Sequence, residues 1–190
     1  AADRNRISRG VQNWLELWNI RKPIIAQVHG YCITGGTVIA ILADITIVAE
    51  DARICPEPVA GPLGAGLTAA AWAWQVGPKK AAELCYRVGH VISGKEAVEI
   101  GFANRAVPAD RLDAEVWALA EDIARTPLEV LTLEKVAITR MQETLGLRAA
   151  FLLGAELDAI AHVAHPVREF TTRIDEVGLR QASQEWKQRE

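Results

Sequence analysis

The sequence predicts an α/β fold whose first half mixes short buried strands with helices and whose second half is nearly all helix. Three observations carry this. The run Lys22-Pro-Ile-Ile-Ala-Gln-Val-His29 has buried-strand character, breaks into a glycine-bearing turn over 30–36 and continues as an apolar helix over 37–43. A second apolar run, Ile45-Thr-Ile-Val-Ala49, follows so quickly that helix and strand must form a tight parallel crossover. Beyond Pro127 the remaining segments read as helices.

The elements are justified in order. Residues 1–22 open on a helix, polar first, with Val11, Trp14, Leu15 and Trp18 on one face. Pro23 opens a strand over 23–29, and Gly30, Gly35 and Gly36 let the chain turn sharply. The helix that follows is apolar on every side and is expected to be buried all round. Peptide N–H groups at its start can hold negative charge: a phosphate, a carboxylate or a thioester oxyanion. Arg53-Ile-Cys55 is a candidate third strand, and 55–66, rich in Pro and Gly, is a loop and candidate active-site rim.

Helices are expected over 67–76, stopped by Gly77-Pro78, and over 79–88. Ser93 caps a short helix over 95–100, with Glu96 completing a capping box and Gly101 ending it. Residues 102–107 form an edge strand, and 109–125 an amphipathic helix with Leu112, Val116, Leu119, Ala120 and Ile123 inward. Pro127 begins the next helix. Another spans 147–163 and stops at Pro166, and a last amphipathic segment covers 167–186. The division falls near Pro127, giving a body over 1–126 and a helical tail over 127–190.

Composition narrows the function. With 190 residues, half of them apolar, 24% charged and a net charge of −3, the chain is long enough for one sizeable core. Slight acidity and scattered basic residues argue against nucleic acid as a partner. Cys32, Cys55 and Cys85 are widely spaced without a CxxC pair and read as buried reduced thiols. His162 and His165 have no Cys or Asp at ligand spacing, so no metal is expected. No run reaches transmembrane length and no signal-peptide layout is present, so a soluble, cytoplasmic protein is expected.

Several segments together resemble the enoyl-CoA hydratase/isomerase (crotonase) family. They are KPIIAQVHGYCITGG over 22–36, LADITIVAEDAR over 42–53, Pro56-Glu57 with its glycine-rich loop, and the stretch over 76–108 before the helical tail. The resemblance covers essentially the whole chain. It implies a crotonase-like ββα core, an acyl-CoA thioester substrate in fatty acid metabolism, and a helical tail that trimerises, often to a dimer of trimers. It implies no cofactor apart from the coenzyme A of the substrate. It also implies that the chain matches about the C-terminal two-thirds of a family member. The first oxyanion donor and most adenine and pantetheine contacts then lie upstream.

Residue by residue, the resemblance places Gly35 of Thr34-Gly35-Gly36 on the backbone donor that stabilises a thioester enolate, with Thr34 replacing the family's first glycine. A glycine there also simply permits a tight turn. Gly36, Tyr31 and Lys187 are candidate contacts for the coenzyme A part of the substrate, Tyr31 having core packing as its default role. Of the two glutamates of the family's hydratases, the first falls on Val38, which transfers no proton. The second falls on Glu57, although DARICPE is a residue shorter than the usual form. The candidate catalytic pair is therefore Glu57 and Gly35. The chain is expected to be a hydratase or a double-bond isomerase; the alternative is an acyl-CoA-binding pseudoenzyme, weak because of Val38. His29 is expected to make a structural hydrogen bond and Asp44 to hold local backbone. Trp72 and Trp74 cannot share a helix face, so one is expected to line the acyl tunnel while the other packs outward.

Overall fold

The computed structural model describes residues 2–57, 61–63, 66–87 and 89–188. Helix α1 (Ala2–Trp18) buries Val11, Leu15 and Trp18, the face its periodicity marked. Strand β1 (Ile25–Val28) pairs in parallel with β3 (Ile45–Ala49), Ile25 opposite Ile45, and β5 (Arg105–Val107) adds an edge beside β3. This first sheet therefore runs β1-β3-β5.

A second parallel pair corrects the reading of residues 30–36 as a turn alone. Tyr31–Ile33 is strand β2, paired with β4 (Arg53–Cys55), with Ile33 opposite Cys55. Gly30, at φ +59°, swings the chain out of β1, and its carbonyl accepts the Arg53 N–H at 2.7 Å, which seeds the second pair. Gly30 before it and Gly35-Gly36 after it make Tyr31–Ile33 read as part of the turn, which is why the strand hid there although the equally short β4 did not.

Helix α2 (Gly35–Leu42) buries Val38, Ala40, Ile41 and Leu42. It is not buried all round: Ile39 is 44% exposed, on the side that α1, α3 and the strands leave over. Helices α3 (Gly66–Val76) and α4 (Pro78–Cys85) follow, joined at Gly77. The helix expected to 88 ends at Cys85, and Val88 lies outside the described residues. Helix α5 (Gly94–Glu99) has the predicted capping box: the Glu96 N–H donates to Ser93 Oγ, and the Ser93 N–H donates to Glu96 Oε2. A single 3-10 turn over 109–111 leads into α6 (Leu112–Ile123).

The tail comprises α7 (Leu128–Thr144), α8 (Leu147–Ala161), α9 (His165–Val177) and α10 (Leu179–Lys187). Pro166 does not stop α8 as expected; it sits in the first turn of α9, where its missing N–H has no helical partner to lose. The expected single segment over 167–186 is split by Gly178, at φ +82°, into two helices. Helix α8 packs on α3 and α1 and puts Leu147, Phe151 and Ala155 into the main core. Closeness there depends on glycine: a Cβ on Gly154 would stand 2.9 Å from the Cα of Leu67.

Two polar links tie the layers. Trp72, fully buried and stacked on Phe102 with ring centroids 4.7 Å apart, donates its indole N–H to Thr37 Oγ1 at 2.9 Å. Asp44 Oδ2 accepts the Ile24 N–H at 2.7 Å and pairs at 2.5 Å with Lys135 Nζ, whose side chain is buried. Asp44 thus holds local backbone and also anchors α7.

Candidate active site

The site grows from the second sheet. Strands β2 and β4 run parallel, so their carboxyl ends point the same way, and each is followed within two residues by a candidate group: Gly35 beyond Ile33, Glu57 beyond Cys55. The Thr34 N–H donates to the Cys55 carbonyl at 3.0 Å, which holds the two strand ends in register.

On the β2 side, Gly35 is the first residue of α2, where backbone N–H groups lie outside the intrahelical ladder and the helix field favours negative charge. Thr34 precedes it at φ +50° and ψ −113°, a region that side chains with a Cβ rarely adopt, and it is the one positive-φ residue other than glycine among those described. Its carbonyl accepts from Thr37 N–H, Val38 N–H and the Thr37 hydroxyl, so the turn is fixed from both ends. The indole of Trp14 from α1 covers Gly35, and a Cβ there would stand 3.3 Å from the ring. Val38, one turn into the helix, is fully buried.

On the β4 side, Glu57 is 5% exposed. Thr68 Oγ1, in the first turn of α3, donates to Glu57 Oε1 at 3.1 Å, and the Cys55 thiol donates to the Glu57 carbonyl. Burial pushes the Glu57 carboxyl up to about 7; the Thr68 hydrogen bond works against this and the Asp158 charge adds to it. A carboxyl poised near neutrality can take up and return a proton in one cycle. Burial, with the charge of Glu57 and the neighbouring Cys55 behind it, pushes the Cys85 thiol up to about 12, so that sulfur stays a neutral apolar neighbour.

Gly61, beyond Glu57, is covered from the tail. A Cβ on Gly61 would stand 2.5 Å from Phe170 of α9, and Phe170 is held edge-on by Trp186 of α10. Residues 58–60, 64 and 65 lie outside the described residues.

The other candidates are placed as follows. Gly36 is exposed beside Gly35. Tyr31 is not a core residue: its ring is 66% exposed, with the Arg53 guanidinium 5.2 Å above it, because the outer face of the short β2–β4 pair is uncovered. Lys187 is exposed in the last turn of α10. His29 is exposed after β1. Trp72 belongs to the core through Thr37 and Phe102, and Trp74 is half-buried. Among the described residues, no group of three His, Cys, Asp or Glu is placed to hold a metal, and no helix is long and apolar enough to cross a membrane. Sequence reasoning missed Thr68 and Asp158. Nothing in the sequence links Asp158 to a loop so far upstream.

The sequence model of enoyl-CoA hydratase/isomerase matches residues 2–162, most of the chain. The chain belongs to this family. Its ββα core with a C-terminal helical region is the crotonase-like fold. Over 97% of its length it superposes with a TM-score of 0.92 and 38% identity on a Novosphingobium aromaticivorans protein assigned to the enoyl-CoA hydratases/isomerases, covering 68% of that chain. An enoyl-CoA hydratase of Mycobacterium smegmatis gives a TM-score of 0.88 at 33% identity, over 95% of this chain and 61% of that one. A curated Mycobacterium tuberculosis relative, named as an enoyl-CoA hydratase, is 31% identical over 151 residues, which is 75% of this chain and 47% of the relative. The chain thus spans about half the length of that curated relative.

Proposed function

We propose that this family member acts on an acyl-CoA thioester through an enolate, with Gly35 as a backbone oxyanion donor and Glu57 as the proton-transferring base. The observation that carries the reading is Glu57 itself, a buried carboxyl pushed up to about 7 at a strand end adjoining the start of α2. Glu57 removes a proton from C2 of a 3-enoyl thioester. The electron pair moves onto the thioester oxygen, where the Gly35 N–H meets the developing charge, and the same carboxyl returns the proton at C4. A double-bond shift needs only this one base. Hydration needs a group that orients water as well, and Val38, fully buried and apolar, offers none at the position where hydratases keep a carboxylate.

A second reading rests on the same valine: a protein that binds acyl-CoA with little turnover. Gly36, Tyr31 beside Arg53, and Lys187 are the proposed contacts to the coenzyme A moiety, and all three sit at the surface. We further propose a body over 1–126, a tail over 127–190 that covers the site and trimerises, and a cytoplasmic location. The trimer proposal is motivated by Val136 on α7 and by Leu152, Leu157 and Ile160 on α8, which are 39–64% exposed, and by Val163 just beyond α8, at 57%. Phe151, next to Leu152 on α8, is a core residue and lies outside this exposed stripe.

The test uses the whole protein with Glu57→Gln. Acetoacetyl-CoA should raise the melting temperature of both forms, because a ligand that binds only the native state stabilises it. Isomerisation, followed by gain of 2-enoyl absorbance, should fall by roughly 10²–10⁴ in the variant with thioester affinity within a few fold. Full activity of the variant in both isomerisation and hydration assays would remove Glu57 from the mechanism. Thioester binding without turnover by the unaltered protein would select the second reading.

A further inference from the structure

The first turn of α3 stands between two carboxyl groups. On one side Thr68 Oγ1 reaches Glu57 Oε1 at 3.1 Å; on the other the Gly66 N–H donates to Asp158 Oδ1, also at 3.1 Å. Gly66 is pressed against α8 so closely that a Cβ would stand 2.7 Å from the Gly154 carbonyl and 3.0 Å from the Asp158 nitrogen. The turn that places the Thr68 hydroxyl is therefore seated on Asp158. The titratable groups that face Glu57 among the described residues are the Cys55 thiol from β4, the Cys85 thiol from α4 and Asp158 from α8. Of these, Asp158 is the carboxylate.

We propose that Asp158 is a positioning residue for Glu57, acting through the first turn of α3, so that the site carries its second carboxylate on α8 and not at position 38. Its hydrogen bond to Gly66 fixes where Thr68 presents its hydroxyl. Its negative charge opposes a second negative charge on Glu57 and so makes Glu57 the stronger proton acceptor. The chain that lost the family carboxylate at Val38 keeps a pair of unequal carboxyl groups by another route. The inference rests on the reading of Glu57 as the base and adds its partner.

Asp158→Asn keeps an oxygen for the Gly66 N–H and removes the charge. In the whole protein labelled at the glutamate carboxyl carbons, the Glu57 midpoint, assigned by the signal missing in Glu57→Gln, should move to lower pH. The expected shift is at least about three-fold in proton concentration, since the two carboxyl groups do not touch and act on each other across the first turn of α3. The acid limb of the kcat/KM profile for isomerisation should move with it, with KM changed less than two-fold or so. Asp158→Glu should restore the limb. Asp158→Ser, neutral and able to accept from Gly66, gives the same reading if the Asn variant does not fold. A Glu57 midpoint unchanged in the neutral variants overturns the proposal. Full isomerase activity of Glu57→Gln would instead sink the base assignment while leaving the measured coupling intact.

Discussion

Thr34 gives its backbone N–H to the carbonyl of Cys55, and this 3.0 Å bond joins the strand end that leads to Gly35 with the one that leads to Glu57. The bond is kept although Thr34 lies at φ +50°, a backbone state that costs a β-branched residue about 1–3 kcal/mol. Thr34→Gly should relieve that strain and, after the extra entropy of glycine in the unfolded chain, stabilise the protein by about 1 kcal/mol. Thr34→Ala keeps a Cβ and should gain nothing. Urea midpoints of the two variants decide the matter; equal midpoints would mean the turn is unstrained.

Stability should depend on pH through Glu57. Its carboxyl titrates near 7 in the folded protein against an ordinary 4.5, so between those values the native state holds a proton that the unfolded chain has lost. The protonated group's contribution is complete below about pH 4.5 and is lost as pH rises through about 7. At 1.36 kcal/mol per unit, the loss is about 3 kcal/mol. Glu57→Gln carries no such charge, so its stability should vary less over that range and exceed the unaltered protein's at pH 8. Chemical denaturation at pH 5 and pH 8 gives the comparison, and parallel curves would contradict it.

Gly66→Ala tests the seat of α3. Its Cβ would meet the Leu157 Cβ and the Gly154 carbonyl, both on a packed helix that cannot yield locally. A loss of about 1–3 kcal/mol is expected. Turnover should drop further than thioester affinity, because the Thr68 hydroxyl moves with the turn. A variant with unchanged melting temperature would show that α3 and α8 slide freely.

The Asp44–Lys135 pair should respond unequally to its two truncations. Asp44→Ala leaves the buried Lys135 ammonium and the Ile24 N–H without their acceptor, a change expected to cost about 3–5 kcal/mol. Lys135→Met fills the same space with an apolar chain and leaves Asp44 bonded to Ile24, so its effect should be far smaller. Similar losses in both, measured by calorimetry, would argue against Asp44 as the acceptor that compensates the buried Lys135 ammonium.

Val38→Glu puts a carboxylate into a fully buried position of α2, and several kcal/mol of destabilisation is expected unless the group finds partners. If the variant folds, hydration of a 2-enoyl thioester should rise relative to isomerisation. A folded variant with unchanged hydration would mean that water orientation needs more than a carboxylate at this position.

The family and the long elements were legible because their signals are collinear with the chain. The runs over 24–28 and 45–49, the capping box at Ser93 and the glycine turn each speak within a few residues. Glu57 stood out as a candidate because Pro56 and a glycine loop flank it. What stayed hidden was short or non-local. Strand β2 lies between turn glycines, and the Tyr31 ring lies exposed on the uncovered face of its strand pair. The strain at Thr34 belongs to its fixed carbonyl and N–H, which no propensity reports. Asp158 meets Gly66 only because α8 folds back against α3.

Phe170 against Gly61 gives the site an order in time. A ribosome finishes both sheets, Gly35 and Glu57 long before it makes Asp158, and makes Phe170 later still. The residues that carry the proposed chemistry are therefore synthesised well ahead of those that seat and cover them. A nascent chain halted within α7 has the two strand ends but neither the anchor of α3 nor the roof over Gly61. Stalled chains of increasing length should accordingly become competent to retain thioester only after α9 has emerged. Competence before α8 would show that the roof is dispensable. A product truncated before α8 lacks the groups that seat α3 and cover Gly61 beyond the proposed base.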